Sequence, residues 1–214
     1  ARNTSSLIES SVKAADIVLQ DLVVAYERHP AVHHLSGRFA AGSLTAVVGP
    51  NGGGKSTLIK TIAGIQPVNG GRLELGGLAR RDIALLPQNS EIDRTIPIDV
   101  LDLVCIGFMT RLGMLRAIDK TMRWRAQEAL ALVGLSGFEH RLIDTLSGGQ
   151  FQRALFARVL VQQASVILLD EPFAAVDAAT TRDLVALIGR WHDEGRTVIA
   201  VSHDLELVRQ SFPS

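Results

Sequence analysis

The chain has 214 residues, and its 22 basic and 22 acidic side chains cancel, leaving no run of Lys and Arg along which nucleic acid would lie. A hydrophobic fraction of 47% supports a substantial core, yet no stretch approaches the roughly 18–20 consecutive apolar residues of a membrane span. The single cysteine, Cys105, excludes an internal disulfide or a cysteine-built metal centre and fits a reducing compartment. The opening ARNTSSLIESSVKAAD has neither the basic region nor the apolar core of a secretory signal. With no initiating Met, residues 1–14 read as a tail with a trimmed or engineered start, and residues 15–214 as one domain.

In chain order, Asp16 to Tyr26 is rich in Val, Ile and Leu and predicts a strand. Tyr26 is the only tyrosine; it stacks on a purine, or it is a half-buried aromatic at a strand end. His29, His33 and His34 then crowd a short expected loop. A His-x-x-x-His pair can chelate a divalent cation, but no cysteine or carboxylate cluster completes the ligand set, so solvated loop histidines are the competing reading.

Residues 43–57 read SLTAVVGPNGGGKST, an apolar β-branched run, a glycine-rich loop and the start of a helix. Gly49, Gly54, Lys55 and Ser56 meet the spacing G-x-x-x-x-G-K-[ST] in the strand-loop-helix context of a phosphate-binding P-loop. Glycines let backbone N–H groups close around a polyphosphate, and the helix N-terminus adds partial positive charge. Gly49 to Thr57, including Asn51 and Gly52, would then bind the polyphosphate of a nucleotide. Lys55 would reach the β- and γ-phosphates, and Ser56 would ligate Mg²⁺.

A helix is expected from Lys55 to Ala63, a strand over Arg72–Leu75 with a Gly76-Gly77 turn, and another strand from Ile83 to Leu86, broken by Pro87. Gln88 at that strand's end would see Mg²⁺ and the attacking water, or be a plain loop glutamine. Residues 95–142 change character: TIPIDVLDLVCIGF and TMRWRAQEALALVGL read as helices, the second with Asp119 as N-cap, Gly134 as stop and a stripe of Ala126, Ala129, Leu130 and Val133. This is a helical insertion in an alternating α/β chain, with Cys105 a buried helix residue.

Ser147, Gly148 and Gly149 open a further helix, either as a second anion-binding device or simply as a good cap. SVILLDEPF then brings Asp170 and Glu171 to the carboxyl end of a buried strand, the first to hold a metal ion and the second to polarise water. Asp177 caps a helix from about Ala178 to Glu194. Gly189 inside it costs about 1 kcal/mol relative to Ala, a cost that close packing would explain. The last strand, TVIAVS, ends at His203, where it would contact a γ-phosphate.

Together these segments resemble the ATP-binding subunit of ABC transporters over nearly the whole chain after about Ala15, on the strength of LSGGQ at Leu146–Gln150 between the P-loop and LLDEP. The resemblance implies a P-loop NTPase fold: a RecA-like α/β core with an antiparallel β subdomain and a helical subdomain at about 95–145. It also implies adenine stacking by Tyr26, a Q-loop role for Gln88, a catalytic role for Glu171, a D-loop role for Asp177 and a switch role for His203. Implied too is a head-to-tail homodimer formed on ATP binding, in which Ser147, Gly148, Gly149 and Gln150 of one copy meet the γ-phosphate held by the other.

PQNSEIDRTIPIDVLDLVCIG and DEPFAAVDAATTRDL look most like the ATPases of bacterial manganese, zinc and iron importers, although AAVD departs from the glycine or serine common in that loop. Such a subunit would be cytoplasmic, peripheral at the inner face of the membrane. It would bind an integral-membrane permease and, indirectly, an extracytoplasmic metal-binding protein, with ATP and Mg²⁺ as its small-molecule requirements. The competing readings are an ATPase for iron-chelate or haem import, a non-transport ABC ATPase, and a P-loop kinase, which would not need LSGGQ.

Overall fold

The computed structural model describes residues 13, 15–26, 29–112, 117–174 and 176–203. An antiparallel sheet in the order β2-β1-β4 contains β1 (Ile17–Tyr26), β2 (His29–Phe39) and β4 (Gly70–Glu74). A parallel sheet in the order β3-β7-β6-β5 contains β3 (Leu44–Val48), β5 (Ile83–Leu86), β6 (Val166–Asp170) and β7 (Thr197–Ser202). The helices are α1 (Lys55–Ile62), α2 (Val100–Cys105), α3 (Met109–Leu112), α4 (Lys120–Leu132), α5 (Gly148–Gln162) and α6 (Ala178–Asp193).

The period of two along a strand decides where the core lies. Val166 and Leu168 face a cluster with Ile59 and Ile62 of α1 and with Ile17 and Leu22 of β1. Ile167 and Leu169 face the opposite cluster, shared with Phe151 and Leu155 of α5 and with Leu187 and Trp191 of α6. Each such side chain, once fully buried, contributes roughly 1.5–3 kcal/mol. Trp191 stacks on Phe156 with ring centroids 5.8 Å apart and planes 6° apart, which fixes α6 against α5. The stripe of Ala126, Ala129, Leu130 and Val133 joins this second cluster as well, so the helix-rich segment is welded to the core sheet. Because all the core strands run parallel, their carboxyl ends share one edge of the sheet, where loops of α/β folds gather ligands.

Cys105 is buried, and burial pushes its thiol up to about 11, so the reactive thiolate is disfavoured. Among the described residues no helix is long and apolar enough to cross a membrane.

Three expectations need correction. His29, His33 and His34 lie in strand β2, which continues to Phe39, and not in a loop. The polar residues of HPAVHHLSGRF disguise a strand whose Val32, Leu35 and Phe39 pack inward on the α1 side while His33 and His34 stay exposed. His34 Nδ1 pairs with Asp21 Oδ1 at 2.8 Å, and no group of three ligating side chains suited to a metal occurs among the described residues. The first helix of the insertion begins at Val100, not with TIPID, because Asp99 caps it by accepting from Asp102 N at 2.7 Å. Finally, Gly189 has no close neighbour: a Cβ built there meets nothing within 4 Å.

Candidate active site

The loop between β3 and α1 is shaped by its surroundings as much as by its own glycines. Gly54 has φ 78°, and a Cβ there would lie 2.1 Å from the carbonyl oxygen of Ala31 in β2. Any other residue is excluded by both conformation and contact. No acidic side chain sits in the first turn of α1, so its partial positive end is not offset. Lys55 Nζ donates to the carbonyl oxygens of Gly49 at 2.9 Å and Pro50 at 2.8 Å, holding the ammonium across the loop. In front of these amides opens a cleft of about 440 Å³, lined by Ala31, Asn51 to Thr57, Gln88, Glu171 and His203.

Behind the loop, Ser56 Oγ donates to Asp170 Oδ1 at 3.0 Å. Asp170 is 1% exposed, and its Oδ2 has no partner. Burial holds the Asp170 carboxyl above the usual carboxylate range, opposed by the Ser56 hydrogen bond. A hydroxyl and a carboxylate with an unused, buried oxygen are a donor set that suits a hard divalent cation.

One residue on, Glu171 turns the chain out of β6 with φ 47°, in the left-handed region. Such a conformation costs on the order of 1–3 kcal/mol for a residue with a side chain. It is held by Glu171 N donating to Val201 O at 3.1 Å and by Ala174 N donating to Glu171 O at 3.1 Å. The turn aims the carboxylate between two neighbours: Gln88 Nε2 donates to Oε2 at 3.0 Å, and His203 Nδ1 lies 3.2 Å from Oε1. Three strand ends thus deliver three polar side chains to one point facing the P-loop.

A second cluster lies apart from that cleft. Ser147 caps α5 with a reciprocal pair of bonds: Gln150 N donates to Ser147 Oγ at 3.3 Å, and Ser147 N donates to Gln150 Oε1 at 3.0 Å. The Gln150 amide is therefore engaged locally. Asp177 caps α6, accepting from Thr180 N at 2.8 Å and Thr180 Oγ1 at 3.0 Å, and these bonds hold its carboxyl below the usual range. A Cβ on Gly149 would sit 3.8 Å from Asp177 Oδ2, so the two helix starts are adjacent. None of Ser147, Gly148, Gly149, Gln150 or Asp177 lines the P-loop cleft. The backbone of Tyr26 ends β1 opposite His29, while its ring lies outside the described residues.

A model of the ABC transporter family matches residues 32–174. The chain belongs to that family. The manganese transport system ATP-binding protein of Listeria monocytogenes is 39% identical over 198 residues, which cover 91% of this chain and 82% of that protein. The zinc transport system ATP-binding protein of Treponema pallidum is 39% identical over 210 residues, covering 96% and 79%. Among solved structures, a dimeric bacterial ABC transporter cassette has a TM-score of 0.78 at 26% identity, covering 91% of each chain. An inward-facing ABC transporter described as of metal-chelate type also has a TM-score of 0.78, at 29% identity, covering 92% of this chain and 76% of that one.

Within this ABC cassette, several contacts that shape the site have no local pattern to reveal them. Ala31 presses on the P-loop from β2. Lys60 of α1 pairs with Glu91 at 2.5 Å, tying the P-loop helix to the turn that follows Gln88. Gln152 Nε2, buried in α5, donates to Pro172 O at 2.8 Å and ties the LSGGQ helix to the segment after Glu171. All three join residues 20 or more positions apart in sequence.

Proposed function

We propose that this chain is the ATP-hydrolysing subunit of an ABC importer that takes up a divalent metal ion, zinc or manganese, through a membrane permease. The observation that carries the hydrolytic part is Glu171, held between Gln88 and His203 at the mouth of the P-loop cleft. The cargo rests on the two relatives, each 39% identical, that are named for manganese and zinc transport.

In this reading the polyphosphate of ATP lies against the amides of Gly49 to Thr57 with Lys55 on its β- and γ-phosphates, and Tyr26 stacks on the adenine. Ser56 and Asp170 would hold Mg²⁺, assisted by Gln88; when bound, the ion offsets phosphate charge. Glu171 orients a water and draws its proton, with Gln88 fixing one carboxylate oxygen and His203 the other.

The second cluster gives the dimer its logic. Ser147 to Gln150 and Asp177 lie outside their own chain's cleft, and the α5 N-terminus offers amides and positive charge to an anion. A second copy placed head-to-tail would bring them to the γ-phosphate, so ATP completes the interface and hydrolysis releases it. Residues 15–214 form the ATPase domain, with 95–145 as its helical subdomain, and the subunit sits at the inner face of the membrane. A groove of about 280 Å³ includes Ile65 and Ile106, which are 63% and 43% exposed, beside Arg80 and Arg158. It is the proposed seat of the permease, which would link the ATPase to an extracytoplasmic metal-binding protein.

The deciding experiment reconstitutes the chain with its native permease and measures ATP-dependent uptake of zinc, manganese and an iron chelate side by side. Uptake of zinc or manganese is the expected outcome. Uptake of the chelate alone would favour the second reading, which the likeness to the metal-chelate transporter supports; no ATP-dependent uptake would refute import.

A further inference from the structure

Far from the P-loop, α4, α5 and α6 surround a cavity of about 170 Å³. Leu132 of α4, Leu160 of α5, and Leu187 and Trp191 of α6 make its walls apolar. The Phe156 ring stacks on Trp191 and packs that wall against α5. An apolar cavity of about 150 Å³ is large enough to hold benzene, so the space suits a six-membered ring or a short aliphatic body.

The charges at this cavity are unbalanced. Arg125 of α4 and Arg190 of α6 both line it, and neither guanidinium has a hydrogen-bond or ion-pair partner among the described residues. The acid that lines it, Glu194, is already taken by Arg196, whose Nε donates to Glu194 Oε2 at 2.8 Å while Nη1 donates to Ala164 O at 2.9 Å. An apolar recess beside two uncommitted guanidiniums recognises a planar anion, which arginine binds through paired N–H groups.

We propose that this cavity is a binding site for a small carboxylate with an apolar body about the size of a benzene ring. The ring fills the space against Leu187 and Trp191, and the carboxylate pairs with Arg125 and Arg190. The position gives such a ligand leverage. Helices α5 and α6 start at Ser147 and Asp177 and run 15 and 16 residues from there, about 22–24 Å at 1.5 Å per residue. The ligand sits between their far ends, so its occupancy alters ATP turnover; this second part rests on the ATPase reading above.

The test uses Trp191 as its own reporter. The chain has two tryptophans, and Trp124→Phe leaves Trp191 alone to follow titration with 3-phenylpropanoate and with the neutral 3-phenylpropan-1-ol. The expected result is a saturable emission change with the acid, at least tenfold weaker binding of the alcohol, and at least tenfold weaker acid binding in Arg125→Gln/Arg190→Gln. No saturable change, equal affinity for the alcohol, or an unaffected double variant would overturn the site. At saturating acid, turnover should shift at least twofold in the parent and not in the double variant. Unchanged turnover with intact binding overturns the coupling alone, and the binding titration needs no ATP, so its failure is distinct from failure of the ATPase reading.

Discussion

Gln88 Nε2 lies 3.0 Å from Glu171 Oε2, a hydrogen bond between groups just past the ends of two neighbouring strands, β5 and β6. It leaves Glu171 a hydrogen-bonded carboxylate aimed at the P-loop. Replacing it by its amide tests the chemistry with the shape conserved. Glu171→Gln is expected to bind ATP as the wild type does while turnover falls by about 10²-fold or more, the range for loss of a general base. Equilibrium nucleotide binding and phosphate release measured on one preparation check this, and wild-type release would remove Glu171 from the base role.

The N-terminus of α5 can be tested without touching the P-loop cleft. Ser147→Arg fills the space in front of the helix, and Ser147→Asp keeps a good cap while setting a negative charge against phosphate. Both should abolish most hydrolysis with ATP binding to the single chain retained. The Asp variant guards against a trivial loss of the cap, which by itself costs about 0.5–2 kcal/mol. Unchanged turnover in both would argue that no second copy uses this surface.

Asp170 should show stability and activity in opposition. Its buried carboxylate has one oxygen without a partner, and burial holds its carboxyl above the usual range. Charging it at neutral pH therefore works against folding. Asp170→Asn is expected to raise stability by on the order of 1 kcal/mol and to lose ATP turnover. The sign follows from the raised carboxyl: below the ordinary aspartate range both folded and unfolded acids are neutral and the advantage vanishes, and it grows as pH rises through the folded-state titration. Denaturant melts at several pH values would show this, and a pH-independent difference would contradict it.

Gly189 offers a gain without an evident cost. It lies inside α6 and a Cβ there meets nothing within 4 Å. Gly189→Ala should therefore recover up to about 1 kcal/mol of helix propensity, equivalent to roughly 2–4 °C in Tm for a chain of this size. A thermal melt that stays level or falls would reveal a role for the glycine that packing does not show.

Much of this architecture could be read from the sequence because the signals are local. The β-branched runs ahead of Gly49 and Asp170, the caps at Asp119, Ser147 and Asp177, and the stops after α1 and α4 each sit within one turn or strand of what they determine. Strand β2 was hidden because its inward residues, Val32, Leu35 and Phe39, are separated by histidines and Gly37 that read as loop. The left-handed turn at Glu171 was equally invisible, since nothing about glutamate announces a positive φ; neighbouring β7 imposes it through Val201. The Lys60–Glu91 pair and the pressure of Ala31 on Gly54 are contacts made only by the finished fold.

The strand order also governs when the site can exist. β3, which carries the P-loop, pairs with β7, so Leu44 waits for Val198. A ribosome must deliver nearly the whole described chain before the cradle gains its neighbouring strand, and pairing of such distant segments is slow. Until then both edges of β3 are unpaired and either can recruit the wrong strand. A partial translation product that stops short of β7 would hold a phosphate loop without the strand whose Val201 fixes the turn at Glu171, so the two halves of the site come together only with the last strand described.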